Sequence, residues 1–495
     1  MKSTRPNRTE WRSGALRALG ICIALCASCS SSKNEGPGGR GGDTGGAGTG
    51  GAGTGGAAGG AQPGTAGSGG SATGGSGGGA QGGSGAGAKG GGGAGGGGAG
   101  GSGGHGGATS LSHPVIMSDV SLLFPLGTPS DFSTGHLRAD AKGSRGTLFP
   151  KAVYQRIPIA GSASGAIGAD GTAPYENLRV VAMRLDPCFA ELHPAATSTT
   201  CKNQLRLVFQ ELAAKGAGVE AFDSGVHAFY SLSREELLSV VAEIVQLREA
   251  AVGTGGRGPL APHPIMAAQG LEGTFSKAVQ AIVLRYAGDG NLVRATGMTS
   301  ANAGFNWEFS GFELPSGAQG TPAPIAIAGL PAGTVKEVFF RGFSPSAVDG
   351  TFTPSPTGSD NFTALAKEAS APTLSATEKA SIAAALVHFT NPAFTTPDSV
   401  DCAQCHTADP LGLNIGVKKA GISTANQPDA FKRDDRWVLE TEMVATDVTF
   451  GRMDAPAVIV HAFSYAFGIP TINQRTVNET AAVVAFLNNN FLSSP

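Results

Sequence analysis

Leucine, isoleucine, valine, methionine, phenylalanine, tyrosine and tryptophan are all absent from residues 36–107, where only Arg40, Asp43 and Lys89 carry charge. The same stretch holds 42 of the chain's 78 glycines. With so little apolar surface to bury, it cannot offset the entropy of ordering and is expected to stay disordered. Its glycines lack the strict every-third-residue period of collagen, which excludes a triple helix. Basic blocks are missing too: the 495 residues carry a formal charge of −2, so nothing supports nucleic-acid binding. What remains, residues 108–495, is long enough for two domains with real cores.

The N-terminus has the layout of an export signal. Lys2, Arg5, Arg8, Arg12 and Arg17 precede a short apolar stretch, Leu19–Leu25. That stretch is too short to span a bilayer, so residues 1–28 are expected to be a cleaved signal peptide rather than an anchor helix. The run Cys26-Ala27-Ser28-Cys29 resembles the lipobox of bacterial lipoproteins, with Cys26 standing where that family usually has Leu. The resemblance implies that Cys29 becomes the lipid-modified first residue and anchors the chain to a membrane of the cell envelope. Ser30, rather than Asp, follows it and points to the outer membrane, not the inner. Cleavage would remove five positive charges and one negative, taking the formal charge from −2 to about −6. Residues 29–110 then read as a tether. Their Gly-rich core has a root-mean-square span of roughly 45–50 Å, enough to hold a folded body clear of a surface.

Residues 111–345 carry β-branched and apolar runs at Val115–Phe124, Ala152–Ile159, Leu178–Leu185, Leu205–Phe209, Asn291–Met298, Asn306–Glu313 and Val335–Phe340, all expected as strands. Two helices interrupt them. One follows a Ser233/Glu236 capping box, and the other spans about Phe275–Ala287. Strands without regular βα alternation imply an α+β or β-sandwich-like module. After a linker at 346–371 the texture turns helical, and residues 372–495 are expected to form an all-α domain. A Ser375/Glu378 capping box opens its first helix, which ends at Asn391-Pro392 because the residue before proline is pushed out of the α region. Thr476 and Glu479 are expected to cap the last helix, whose apolar stripe is Val483, Val484, Leu487 and Phe491.

Inside that helical part lies Cys402-Ala403-Gln404-Cys405-His406, which resembles the haem-attachment site of c-type cytochromes. Two thiols three residues apart lie along one helical turn, within reach of two vinyl groups of one haem, and the adjacent imidazole can reach the iron. The order of helix, motif and C-terminal helix is similar to a class I cytochrome c domain over roughly 372–495. The resemblance implies one covalent haem c, with Cys402 and Cys405 as thioethers and His406 as proximal iron ligand. It also implies a distal ligand between the motif and the last helix, for which Met453 ranks first, with Met443 and His461 as alternatives. Trp437 and Tyr465 could wall the haem or be plain core. A structural zinc site would want a second Cys/His pair, which this part lacks. A thioredoxin-like motif would want a βαβ setting. Cys188 and Cys201 remain as a pair in an oxidising compartment, expected as a disulfide, with two buried free thiols as the alternative.

These features favour an electron-transfer lipoprotein of the envelope working with a redox partner protein. A surface-binding or structural lipoprotein, whose strand-rich module recognises a partner while the haem is accessory or sensing, is the alternative. Residues 111–345 show no nucleotide loop, metal cluster or nucleophile pattern, and a two-haem peroxidase would need a second motif. An electron carrier is therefore favoured over an enzyme.

Overall fold

Apolar runs of the chain pair side by side into a ten-stranded antiparallel sheet. Its path is Ser121–Leu123 (β1), Leu178–Asp186 (β2), Asn203–Lys215 (β3), Ser224–Leu232 (β4), Leu292–Ala301 (β5), Asn306–Glu313 (β6), Lys336–Arg341 (β7) and Gly350–Thr353 (β8). Gly218–Ala221 pairs with β3 and Ala323–Pro324 with β6 at the side of this path. The computed structural model describes residues 110–157, 173–192, 202–252, 257–301, 306–341 and 350–443, apart from 316, 326–329, 331–332, 335 and 398, and then 452–454 and 457–493. The expected signal peptide, Cys29, nearly all of the tether and Cys201 lie outside these residues. No helix among the described residues is long and apolar enough to cross a membrane.

The pleat sorts the strand residues by parity. On β4, Val226, Ala228, Tyr230 and Leu232 join the larger core together with helix α1 (Arg234–Val252) and helix α2 (Thr274–Tyr286). Gly225, His227 and Phe229, on the other face of the same strand, line a cavity. Helices α3 (Ala376–Thr390), α4 (Cys402–Leu411) and α5 (Gln474–Phe491) complete the fold, with α4 running on into π-helical turns at Gly412–Ala420. Pro410 lies inside α4, where it has no N–H to give the helical ladder.

The chain from 372 onward is not all-α and does not carry a core of its own. Four short strands occur in it, Arg452–Asp454 with Ala457–Ile459, and Phe463–Ala466 (β9) with Ile469–Ile472 (β10). Val477, Val483, Val484 and Leu487 of α5 are buried in the larger core with β2, β3 and α1. Each such burial contributes about 1.5–3 kcal/mol. The smaller core mixes Met298, Trp307, Phe309 and Phe339 of the sheet with Leu386 of α3 and Leu411 of α4. Polar groups cross the same divide. Asn488 holds both backbone groups of Val115, at 2.8 and 2.9 Å, and Gln210 of β3 holds both backbone groups of Tyr465. The described residues from 110 onward accordingly belong to one compact unit. The expected boundary at 346–371 does not separate two cores, because the apolar stripe of α5 has its partners in the sheet.

Three expected elements differ for local reasons. Over Val115–Phe124 the Asp119 carboxylate takes the Ile116 N–H at 2.9 Å, making a short helix at Met117–Val120 and leaving only Ser121–Leu123 extended. Of the strand expected at Ala152–Ile159, the described part, up to Ile157, is instead a helical turn at Lys151–Tyr154 that starts after Pro150; residues 158 and 159 lie outside the described residues. The last helix is capped by Asn473, whose side chain takes the Thr476 N–H at 2.9 Å; Thr476 lies inside it. The capping boxes at Ser233/Glu236 and Ser375/Glu378 are formed as expected.

Shared cores predict shared unfolding. The chain should lose far-UV circular dichroism and tryptophan fluorescence in one coincident urea transition. Two resolved transitions would show that 111–345 and 372–495 fold independently.

Candidate functional site

The cavity lies between the sheet and α4. Asp401 starts α4 by accepting the Gln404 N–H at 2.7 Å, and a carboxyl oxygen of Glu337, from β7, accepts the Ala403 N–H at 2.8 Å. These two contacts fix the first helical turn, from which Cys402, Cys405 and His406 all line the cavity.

His406 is held in one orientation. Its Nδ1 lies 2.8 Å from the Val460 carbonyl oxygen, which can only accept, so Nδ1 carries the hydrogen and donates. Burial pushes the ring's pKa down to about 4, so at neutral pH Nε2 keeps its lone pair. Phe309 packs against the ring at 5.2 Å between centroids. The two thiols are free. Burial pushes Cys405 up to about 11 and Cys402 well above its usual value. Both therefore stay protonated at neutral pH, unlike the depressed thiols of disulfide oxidoreductases. Among the described residues no three or more His, Cys, Asp or Glu side chains gather where they could hold a bare metal ion. The motif thus forms a wall and does not converge on a point.

The sheet face opposite carries a row of charge. Register places Arg184 beside Arg206, Arg206 beside Phe229, Phe229 beside Arg294 and Arg294 beside Glu313. The Phe229 ring has Arg206 at 5.0 Å and Arg294 at 5.4 Å, a cation–π arrangement. Asp186 pairs with Arg206 at 2.6 Å, and Arg294 pairs with Glu313. From α5, Glu479 meets Arg475 at 2.6 Å and Arg184 at 2.9 Å. Although burial pushes the Glu479 carboxyl up, Arg475, Arg184 and Arg206 bring it down to about 2. Of the charged groups here, four arginines, Arg184, Arg206, Arg294 and Arg475, and one carboxylate, Glu479, line the cavity.

The residues expected as distal ligands separate in space. His461 lines the cavity, but both its ring nitrogens are engaged, Nε2 with Asp223 at 2.7 Å and Nδ1 with Ser464 at 2.8 Å. Met443 packs on the larger core and lines a different pocket with α3 and α5 residues. The strand bearing Met453 lies against α4; the Met453 side chain lies outside the described residues. Tyr465 is core, its hydroxyl donating to the Phe124 carbonyl at 2.8 Å, and Trp437 donates to Asn489 at 2.7 Å; neither lines the cavity. Cys188 is disulfide-bonded. The cavity's sheet side, Arg184, Arg206, His227, Arg294 and Met298, lies well before the motif in sequence, outside the stretch where a distal ligand is expected. Alternation on β4, with Gly225, His227 and Phe229 on one face, is the one signal that could have pointed to His227. No family model, no curated protein and no solved structure matches the chain.

Two predictions follow from the charges. Glu479→Gln leaves Arg475 and Arg184 buried without their partner and should cost about 3–5 kcal/mol in urea unfolding. Burial, followed by the Asp401 charge, pushes Glu337 up to about 8. The unfolded carboxyl releases its proton near 4.5, so between these values the folded chain binds more protons and stability falls as pH rises. Urea midpoints between pH 5 and pH 8 should fall less steeply in Glu337→Gln than in the natural chain.

Proposed function

We propose that this chain is a c-type cytochrome of the cell envelope that carries one covalent haem in the cavity between α4 and the sheet and transfers electrons. The observation that carries the reading is the placement of Cys402, Cys405 and His406 on one cavity wall, with Nδ1 of His406 committed to the Val460 carbonyl. That bond leaves Nε2 as the coordinating atom, the arrangement by which a backbone carbonyl orients a metal-bound imidazole. The residues present fit the group. Protonated thiols suit addition to vinyl carbons better than metal chelation, Phe309 supplies an apolar contact, and the surplus guanidinium charge suits the carboxylates of a haem edge. Cys402 and Cys405 would hold the haem by thioethers, and His406 would ligate its iron. Bound there, the haem supplies a one-electron redox centre whose potential answers to its axial ligands and burial.

The lipid anchor at Cys29, the outer-membrane position and the tether belong to the same proposal. They would place the folded unit in the periplasm or at the surface, within reach of a redox partner protein. A second reading, in which the chain binds a partner through its sheet and the haem is accessory, draws support from how much of the folded mass is sheet.

The test is export in a host able to mature c-type cytochromes. The natural chain should run as a haem-staining band on a denaturing gel and gain the mass of one haem. Cys402→Ser with Cys405→Ser should lose both signals while still being exported. An unstained natural chain of unmodified mass would end the reading.

A further inference from the structure

We propose that His227 of β4, and not a methionine after the motif, supplies the second axial ligand, so that the haem iron is held between two imidazoles, one from the sheet and one from α4. The inference rests on the haem reading above and deepens it. The ring centroids of His227 and His406 are 6.0 Å apart, with the ring planes 31° apart. Two metal–imidazole bonds of about 2 Å each, together with the two ring radii, add to about 6 Å. Ordinary ring–ring contacts reach the same spacing, so the distance permits a metal between the rings and the unpartnered nitrogens of His227 select for it.

His227 is also free to serve. Neither of its ring nitrogens has a hydrogen-bond partner among the described residues, whereas both nitrogens of His461 are taken. An imidazole with both nitrogens unpartnered, facing a cavity and a second imidazole, is a ligand in waiting; as a packed core residue it would leave polar atoms without partners. The strand fixes its position: His227 lies opposite Val208 on β3 and Thr296 on β5, inside the sheet and not at its edge. A ligand so placed has little freedom to swing away.

The experiment uses the full mature chain with haem attached, prepared as the natural sequence, His227→Ala, His227→Met and Met453→Ala. Haem content is read by mass and gel stain in every sample. Spin state and ligand type are read by electron paramagnetic resonance and near-infrared magnetic circular dichroism. The natural chain and Met453→Ala should both show low-spin iron with two nitrogen ligands and no methionine-to-iron charge transfer. His227→Ala should retain its haem, turn high-spin, and return to low-spin when free imidazole is added. His227→Met should gain the methionine charge-transfer band and a higher reduction potential, a shift that a purely structural role for His227 would not produce. Low-spin iron unchanged in a haem-loaded His227→Ala would overturn the inference, as would a methionine band in the natural chain that Met453→Ala abolishes. Absence of covalent haem from the natural chain would instead remove the parent reading, and this inference with it.

Discussion

Glu479 is the point at which the two halves of the chain are tied together. It belongs to α5, yet it sits among guanidinium groups from both sides, Arg475 on its own helix and Arg184 on β2, with Arg206 on β3 close behind. A carboxylate buried this deeply persists as an ion only because those charges surround it, and the arginines persist for the same reason. Removing α5 from the sheet would strand charges on both surfaces. The network therefore specifies which face of the sheet α5 meets, while the apolar stripe of the same helix supplies most of the burial energy.

Once α5 is fixed, the site is largely determined. Asn473, its cap, also donates to the Cys405 carbonyl at 3.2 Å, and Asp409 of α4 takes the Gln474 N–H. The start of α5 is thus bonded to the turn that carries the thiols. On the far side Glu337 reaches from β7 to the first N–H groups of α4. The motif helix is gripped at both ends of its cavity-facing turn by groups that are distant in sequence. Such bracing keeps two thiols and an imidazole on one cavity wall, which side chains on a freely moving turn would not.

Local signals in the sequence were the dependable ones. The strand Asn306–Glu313 and the boxes at Ser233 and Ser375 depend on period and capping chemistry within a few residues, and they appear as expected. The helix over Met117–Val120 was hidden because a single carboxylate, Asp119, outweighed a β-branched run. The failure over 372–495 has a different cause. An apolar stripe such as Val483, Val484 and Leu487 says that a helix must be covered and says nothing of what covers it. The expectation of a separate all-α domain takes that partner from within the segment, where the structure supplies the sheet. For the same reason the motif was legible and its surroundings were not: Arg184, Arg206 and Arg294 read as ordinary polar positions on strands until register aligns them into one row.

The joining of sheet and helices also changes what haem attachment would mean for this chain. In a self-contained helical domain, cofactor and polypeptide form a unit that could be detached from any neighbour. Here the thiols and His406 come from α4, the opposing wall comes from β3, β4 and β5, and the charge that favours an anionic edge is shared between β2, β3, β5 and α5. A group bound in that cavity would touch both cores at once, so its binding energy would add to the stability of the whole folded unit, as it does for any ligand that binds only the native state. The sheet completes the cavity and supplies the charge around it. The strand-rich part and the motif therefore share one site, and the buried Glu479–Arg184 pair ties them together.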